Sequence, residues 1–468
     1  MSLENTHLGA EGIAEALRGR TRLFFIGIGG ISMSSLAQMS LLEGFAVGGS
    51  DRQENAQTRL LAQRGAEVFL GHDAAQIEGY EAVIYTVAIG QENPEYRAAI
   101  AKGLPVISRA DYLGYLMMRF KTRIGVAGMH GKSTCTAMCA HVFLEACDPT
   151  VLCGAELPDF DGSTCRIGHA REHFIFEACE YMDSFLDFSP TVAVVLNVDL
   201  DHVDYFKDIE QIRQSFLRYA ERTGEGGIAL YNADDDESVR ALKPFAGRHV
   251  TFGIEREADY RAANIEFDTH GAKFDLYCRG VFLCRITLPM TGRHSVYNAL
   301  ASSAAALLCG IAPEAVARAL STFRGAGRRM EYKGLLGGAR VFDDYGHHPV
   351  EIRATLAAAK EMAGEGRVIC AYQPHTYSRT AGLWQEFCEA FGDADRLFFA
   401  DIYAAREQNV YGVSSAGLAE RIGAHATYCN SFRALADAIT AEAREGDLVV
   451  IMGAGDIFKT FELLELTK

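Results

Sequence analysis

The segment Gly125-Val-Ala-Gly-Met-His-Gly-Lys-Ser-Thr134 constrains this chain more than any other. It overlaps the apolar run Thr122-Arg-Ile-Gly-Val-Ala127 and opens a predicted helix from Cys135 to Leu144. Strand, glycine turn and helix in direct succession make an α/β unit. Backbone N–H groups of such a turn can wrap a phosphate, and the helix N-terminus adds partial positive charge. Lys132 can reach terminal phosphates, and the Ser133 hydroxyl can ligate Mg²⁺. The full P-loop pattern has glycine where Val126 stands, so the motif is a compact variant, Gly128-x-x-Gly131-Lys132-Ser133-Thr134. The plainer alternative is a tight turn with a surface lysine.

The strand–helix alternation extends along nearly the whole chain, which predicts an α/β protein with parallel sheets. At 468 residues the chain exceeds one core, and three domains are expected. The first, 1–120, is Rossmann-like, with strands predicted at 22–26, 45–48, 67–69, 82–86 and 105–107. The second, 121–323, is a P-loop ATPase-type parallel sheet ending in helices near 295–309 and 312–322. Alternation between 247 and 290 predicts a small antiparallel excursion there. The third, 324–468, is again Rossmann-like. It follows the glycine-rich joint Phe323-Arg-Gly-Ala-Gly327, with strands near 339–343, 367–372, 396–400 and 447–452.

The balance of 45 Lys+Arg against 61 Asp+Glu gives a formal charge of −16, which speaks against nucleic acid or an anionic membrane as the main partner. The twelve cysteines lack metal-finger spacing and read as reduced residues of a cytoplasmic protein. No membrane insertion and no signal peptide are expected.

Two further glycine-rich or polar clusters carry chemistry. Gly27-Ile-Gly-Gly-Ile-Ser32 is similar to a dinucleotide fingerprint, with Ser32 in place of the third glycine and Asp51 after the second strand. By itself it admits a nicotinamide cofactor, the diphosphate of another nucleotide, or a structural turn. The phosphate loop downstream favours a nucleotide-linked substrate joined with ATP. Glu177-Ala-Cys-Glu-Tyr181 and Asn197-Val-Asp-Leu-Asp-His-Val-Asp204 each follow an apolar strand expected beside the phosphate-loop strand. There Glu177 and His202 can complete a Mg²⁺ shell with nucleotide phosphates. The alternatives are a salt-bridging carboxylate and a surface-turn histidine.

Asn298 opens the paired helices and can read adenine, or cap a helix. Arg328 and Arg329 stand beside the hinge, where arginine can clamp a phosphate. Asp343-Asp-Tyr-Gly-His-His-Pro349 and Gln373-Pro-His-Thr-Tyr-Ser-Arg-Thr380 each follow a strand of the third domain and read as a substrate pocket.

In combination and order, these motifs resemble the Mur ligase family of peptidoglycan precursor synthesis. The resemblance runs from Gly27 to about Gly455. Within the family it is greatest to the branch that joins L-alanine to UDP-N-acetylmuramate. It implies a UDP-substrate domain, an ATPase domain and an amino-acid domain. It also implies an ATP-dependent ligation through an acyl phosphate, with Mg²⁺, in the cytoplasm, by a monomer or weak homodimer.

By resemblance, Lys132, Glu177, His202 and Arg329 are the catalytic set, and Ser133, Glu177 and His202 hold metal. Gly128, Met129, His130, Gly131, Lys132, Ser133, Thr134, Asn298, Arg329 and Asp344 bind ATP, with Asn298 at adenine and Asp344 at the ribose. Gly27, Gly29, Gly30, Ile31, Ser32, Ser34 and Asp51 bind the UDP substrate. Tyr345, His347, His375 and Arg379 surround L-alanine, with Arg379 on its carboxylate.

Three positions depart from the family's usual pattern: Ser295 for asparagine, Thr376 for a second arginine, and Cys179 for aspartate. The nearest rival is a family member that attaches a preformed tripeptide to the same sugar nucleotide. A non-catalytic nucleotide-binding scaffold would be expected to lose Lys132, Glu177 or His202, and all three stand.

Overall fold

The structure, a computed structural model, describes residues 3–160, 163–201, 205–268, 270–405 and 407–467. Three sheets follow one another along the chain. The first holds β1 (Arg22–Ile26), β2 (Ala46–Asp51), β3 (Glu67–Leu70), β4 (Ala82–Tyr85) and β5 (Val106–Ser108). All its pairings are parallel, in the order β3-β2-β1-β4-β5. The chain order reverses between β1 and β4, so the loop after β1 opens at a topological switch point, where open α/β sheets bind ligands.

The second sheet has ten strands: β6 (Thr122–Ala127), β7 (Thr150–Leu157), β8 (Ser163–Arg166), β9 (His173–Glu177), β10 (Val192–Val195), β11 (Ile228–Asn232), β12 (Arg248–Gly253), β13 (Tyr260–Asp268), β14 (Gly271–Cys278) and β15 (Val281–Leu288). Their order is β15-β14-β13-β12-β11-β10-β6-β9-β7-β8. β9 and β10 flank β6 in parallel register, as the sequence predicts. The antiparallel excursion is shorter than predicted. β12 pairs in parallel with β11 and β13, and reversal begins only between β13 and β14. Reversal needs tight turns, and Arg279 (φ 48) with Gly280 (φ 78) supplies one between β14 and β15.

The third sheet orders β16 (Glu331–Leu336), β17 (Ala339–Asp344), β18 (Val368–Tyr372), β19 (Arg396–Phe399), β20 (Ala426–Tyr428) and β21 (Leu448–Met452) as β16-β17-β21-β18-β19-β20. Only β16 runs antiparallel. β18 and β21 are buried along their whole length, which explains their unbroken apolar runs.

The cores are unevenly shared. One buried cluster runs from Phe25 and Tyr112 under the first sheet to Phe174, Phe185 and Phe216 under the second. Phe120 and Phe174 stack across that junction at 5.0 Å. The third sheet packs on clusters of its own, around Leu356, Tyr372 and Phe399 on one face and Ile369 and Ile439 on the other. Burying one such aromatic or aliphatic side chain is worth about 1.5–3 kcal/mol. The first two sheets are therefore cemented together, while the third is joined chiefly through the segment after Phe323 and through polar contacts. Among the described residues, no helix is long and apolar enough to cross a membrane.

Candidate active site

The loop 128–131 leaves the end of β6 and enters the helix Lys132–Ala146. Gly131 precedes that helix at φ +86, and a Cβ there would lie 2.7 Å from Asn298 Oδ1. Glycine thus lets Asn298, on the helix Arg293–Leu308, come up against the loop. Asn197, just beyond β10, holds the loop from the other side. Its Nδ2 donates to the His130 carbonyl at 2.9 Å, and its Oδ1 accepts the His130 N–H at 2.8 Å.

Lys132 Nζ donates to the carbonyls of Gly128 (2.6 Å) and Met129 (3.2 Å) and to Glu180 Oε1 (3.0 Å). Burial works against its charge, but Glu180 foremost outweighs this and holds the ammonium above the usual lysine range. Ser133 Oγ donates to Glu177 Oε2 at 2.9 Å, and the same oxygen accepts the Gly154 N–H at 2.8 Å. Two of the three predicted metal-holding residues are therefore in contact. The third, His202, lies outside the described residues. Among the described residues, no three His, Cys, Asp or Glu side chains converge as a protein-only metal cage. A hard cation here would need oxygen from phosphates, which is how Mg²⁺ is commonly held. The Ser133–Glu177 oxygen pair at the loop's helix fits that donor chemistry.

From the segment just before β16, Arg329 brings Nη2 to 3.5 Å from Ser133 Oγ. Its guanidinium lies 5.1 Å from the centre of the Tyr345 ring. A cavity of about 440 Å³ opens between the two domains, lined by His130, Thr134, Asn298, Arg329, Asp344 and Glu351 among others. Asp344 uses both oxygens on backbone: Oδ1 accepts the Gly346 N–H at 2.8 Å and Oδ2 the Met330 N–H at 2.9 Å. Burial raises its pKa, opposed by Arg329. It fixes the hinge-side loop against the loop after β17, in addition to facing the cavity.

The predicted amino-acid residues form a connected row. The rings of Tyr345 and His347 lie 5.7 Å apart, those of His347 and His375 lie 5.9 Å apart, and Arg379 Nη1 is 3.5 Å from His375 Nδ1. Tyr403 stacks on the far side of His375 at 5.6 Å. Arg379 Nη2 reaches into the central domain, 3.3 Å from Asp201 Oδ1. Burial pushes the His347 pKa down to about 4. Its Nδ1 lies 3.2 Å from the Tyr345 carbonyl, which a neutral ring can satisfy only by carrying its proton there. Nε2 is left as an acceptor.

In the first domain, Gly27 (φ +81), Gly29 and Gly30 form the turn after β1, and Ile31 begins the helix Ile31–Leu42 with its side chain exposed. Asp51 Oδ2 accepts the Gly29 N–H at 2.9 Å, so this carboxylate braces the turn itself. A Cβ on Gly29 would stand 2.7 Å from Thr58 and 2.9 Å from Asp51. Ser34 is buried, with its hydroxyl on the Ile31 carbonyl. Ser32 Oγ accepts from Arg109 Nη1 at 3.1 Å. Arg109, Asn197, Glu180 and Glu351 were not singled out from sequence, and each acts through a partner remote in the chain. Only Glu351 had a local signal, the spacing of a helix capping box from His348.

A phosphate loop between parallel strands, faced across a cavity by Arg329 at the entry to a separate C-terminal sheet, defines a multidomain nucleotide-binding α/β enzyme. Three family models match in succession: "Mur ligase family, catalytic domain" over residues 22–121, "Mur ligase middle domain" over 126–306, and "Mur ligase, glutamate ligase domain" over 328–455. The chain belongs to the Mur ligase family. It is similar to the UDP-N-acetylmuramate–L-alanine ligase of Clostridium novyi, 42% identical over 94% of this chain and 96% of that one. Its identity to the protein of the same name from Caldanaerobacter subterraneus is 43%, over the same shares of the two chains. Among solved structures, the UDP-N-acetylmuramate-alanine ligase of Thermotoga maritima superposes with a TM-score of 0.77 at 27% identity, covering 94% of this chain and 97% of that one.

Proposed function

We propose that the protein joins L-alanine to UDP-N-acetylmuramate with hydrolysis of ATP to ADP and phosphate, in the cytoplasm, as a monomer or weak homodimer. The observation that carries this is the convergence of Lys132, the Ser133–Glu177 pair and Arg329 on one cleft between central and C-terminal domains. The shared name of the relatives similar over nearly the whole chain supports the choice of substrates. Domain boundaries at 120/121 and 323/324 go with this reading. The UDP substrate is assigned to the first unit, ATP to the second and L-alanine to the third.

A carboxylate oxygen is a poor leaving group, so the muramate carboxylate must be activated before an amine can displace it. Its oxygen attacks the γ-phosphorus, ADP leaves, and an acyl phosphate forms. The alanine nitrogen then attacks the acyl carbon, and the tetrahedral adduct expels phosphate. Negative charge builds on the phosphoryl oxygens in the first step. Lys132 leaves its loop carbonyls to meet that charge, and Arg329 approaches from the opposite domain. When bound, Mg²⁺ held by Glu177, His202 and Ser133 would supply charge neutralisation at the phosphates. Arg379 clamps the alanine carboxylate, and His347 Nε2 accepts a hydrogen bond from the amine. The reacting atoms must come within roughly 3–3.5 Å. The third sheet, with its own core, is the unit free to close on the other two.

The test is ADP release with UDP-N-acetylmuramate and L-alanine, glycine, L-serine or tripeptide added singly, with product mass. Turnover with L-alanine is expected. Turnover with tripeptide alone would identify a recycling ligase, and no turnover with any acceptor a scaffold.

A further inference from the structure

Glu351 sits where the phosphate loop and the amino-acid loop meet. It is the third residue of the helix Pro349–Ala363 and closes a capping box with His348. Its Oε2 accepts the N–H of His347 at 3.0 Å and of His348 at 3.3 Å. A helix cap would be complete with that. The carboxylate also lies 3.4 Å from the imidazole Nδ1 of His347, and its other oxygen lies 3.4 Å from Nδ1 of His130. His130 belongs to the phosphate loop and His347 to the amino-acid row. The His130 ring further lies 4.9 Å from that of His348. Burial works to raise the Glu351 pKa, but His347, His130 and Arg329 outweigh it, and the group stays ionised.

We propose that Glu351 is a positioning residue that ties the seating of the amino-acid loop to the phosphate loop, so that L-alanine is gripped in register with ATP. This rests on the functional reading above. Asn197 pins the His130 backbone through both its N–H and its carbonyl, and the imidazole it carries packs against Glu351 and the His348 ring. Glu351 follows that ring, and the N–H groups of His347 and His348 follow Glu351. Glutamine completes a capping box as glutamate does. Glu351→Gln therefore keeps the helix start and removes the negative charge that His130 and His347 share.

The test is steady-state ADP release by the full chain at saturating UDP-N-acetylmuramate, comparing wild type, Glu351→Gln, His130→Ala and the double variant. Glu351→Gln is expected to raise the L-alanine KM about tenfold with an ATP KM within about twofold and an unchanged thermal midpoint. The double variant is expected to have an L-alanine KM no higher than the worse single variant, because both changes cut the same link. An unchanged L-alanine KM, single effects that multiply, or an equal rise in both KM values would overturn the proposal. A wild-type enzyme that ignores L-alanine would overturn the functional reading, and the proposal with it. Wild-type turnover with an unaffected Glu351→Gln overturns the proposal alone.

Discussion

Replacing Gly131 with alanine has two costs, and the structure offers a way to separate them. The first is backbone strain. At φ +86 an L-residue sits in the left-handed region, at about 1–2 kcal/mol. The second is contact, since the new methyl would stand 2.7 Å from Asn298 Oδ1 and 3.3 Å from its Nδ2. Ordinary contact begins at 3.4 Å, so the Asn298 amide must retreat by about 0.7 Å or the loop must open. Gly310 is the control. It lies in the same domain, its φ is +85, and a Cβ there meets nothing within 4 Å. Both variants should lower the thermal midpoint by roughly 2–8 °C, the shift expected of 1–2 kcal/mol in a domain of this size. Only Gly131→Ala should weaken a non-hydrolysable ATP analogue, by about tenfold or more, or 1.4 kcal/mol. Calorimetric titration and thermal melts on the same preparations read the two quantities. Equal, undiminished nucleotide affinity in both variants would refute the close fit of Asn298 to the loop.

Three other outcomes are expected. Lys132→Ala should lose on the order of 10³-fold in turnover, measured as phosphate release, because nothing else on the loop supplies a mobile cation to the phosphoryl in flight. Arg379→Lys keeps the charge but not the planar two-point fit, so the L-alanine KM should rise about tenfold while those for ATP and UDP-sugar hold. Thr376 beside it offers no substitute. For pH, burial depresses His347 to about 4 from an ordinary 6.5, so the unfolded chain binds its proton more readily. Stability from this group is full above about 6.5 and is lost as pH falls toward 4. His294 and His348, also held near 4 by burial, act in the same direction, whereas Asp187 and Asp343, raised to about 6 by burial, act oppositely. The difference in thermal midpoint between wild type and His347→Asn across that range isolates the term, and it should shrink on acidification.

What could be read from sequence was whatever is written locally. The apolar runs at β1, β6, β10, β18 and β21 announced themselves, and the glycine turns behind β1 and β6 stand where expected. β16 and the short edge strands β8 and β20 did not, because three to six residues with one covered face carry little pattern. At the site, the grouping of Glu177 with Ser133 follows from two strand ends flanking one loop, which spacing could suggest. The pairings Lys132–Glu180, Arg379–Asp201 and Arg109–Ser32 span 48, 178 and 77 positions. They depend on how helices pack and how domains meet, and no local window holds that information. Asp51 shows the other side of the same limit. Its position at the end of β2 suits a ribose, yet its carboxylate also serves the Gly29 amide, a task visible only once the turn has folded.

If Arg379 holds the alanine carboxylate as proposed, its ion pair with Asp201 gives that pocket a resident tenant. An incoming zwitterion must evict a carboxylate tethered to the same molecule before its own can be held. The pocket's intrinsic grip is thereby discounted by the fraction of time the tenant is away. A weak acceptor loses that contest, and one that also satisfies the amine partner at His347 wins it. On the proposed assignment, the contact across the cleft would then favour an acceptor that can complete both ends of the site.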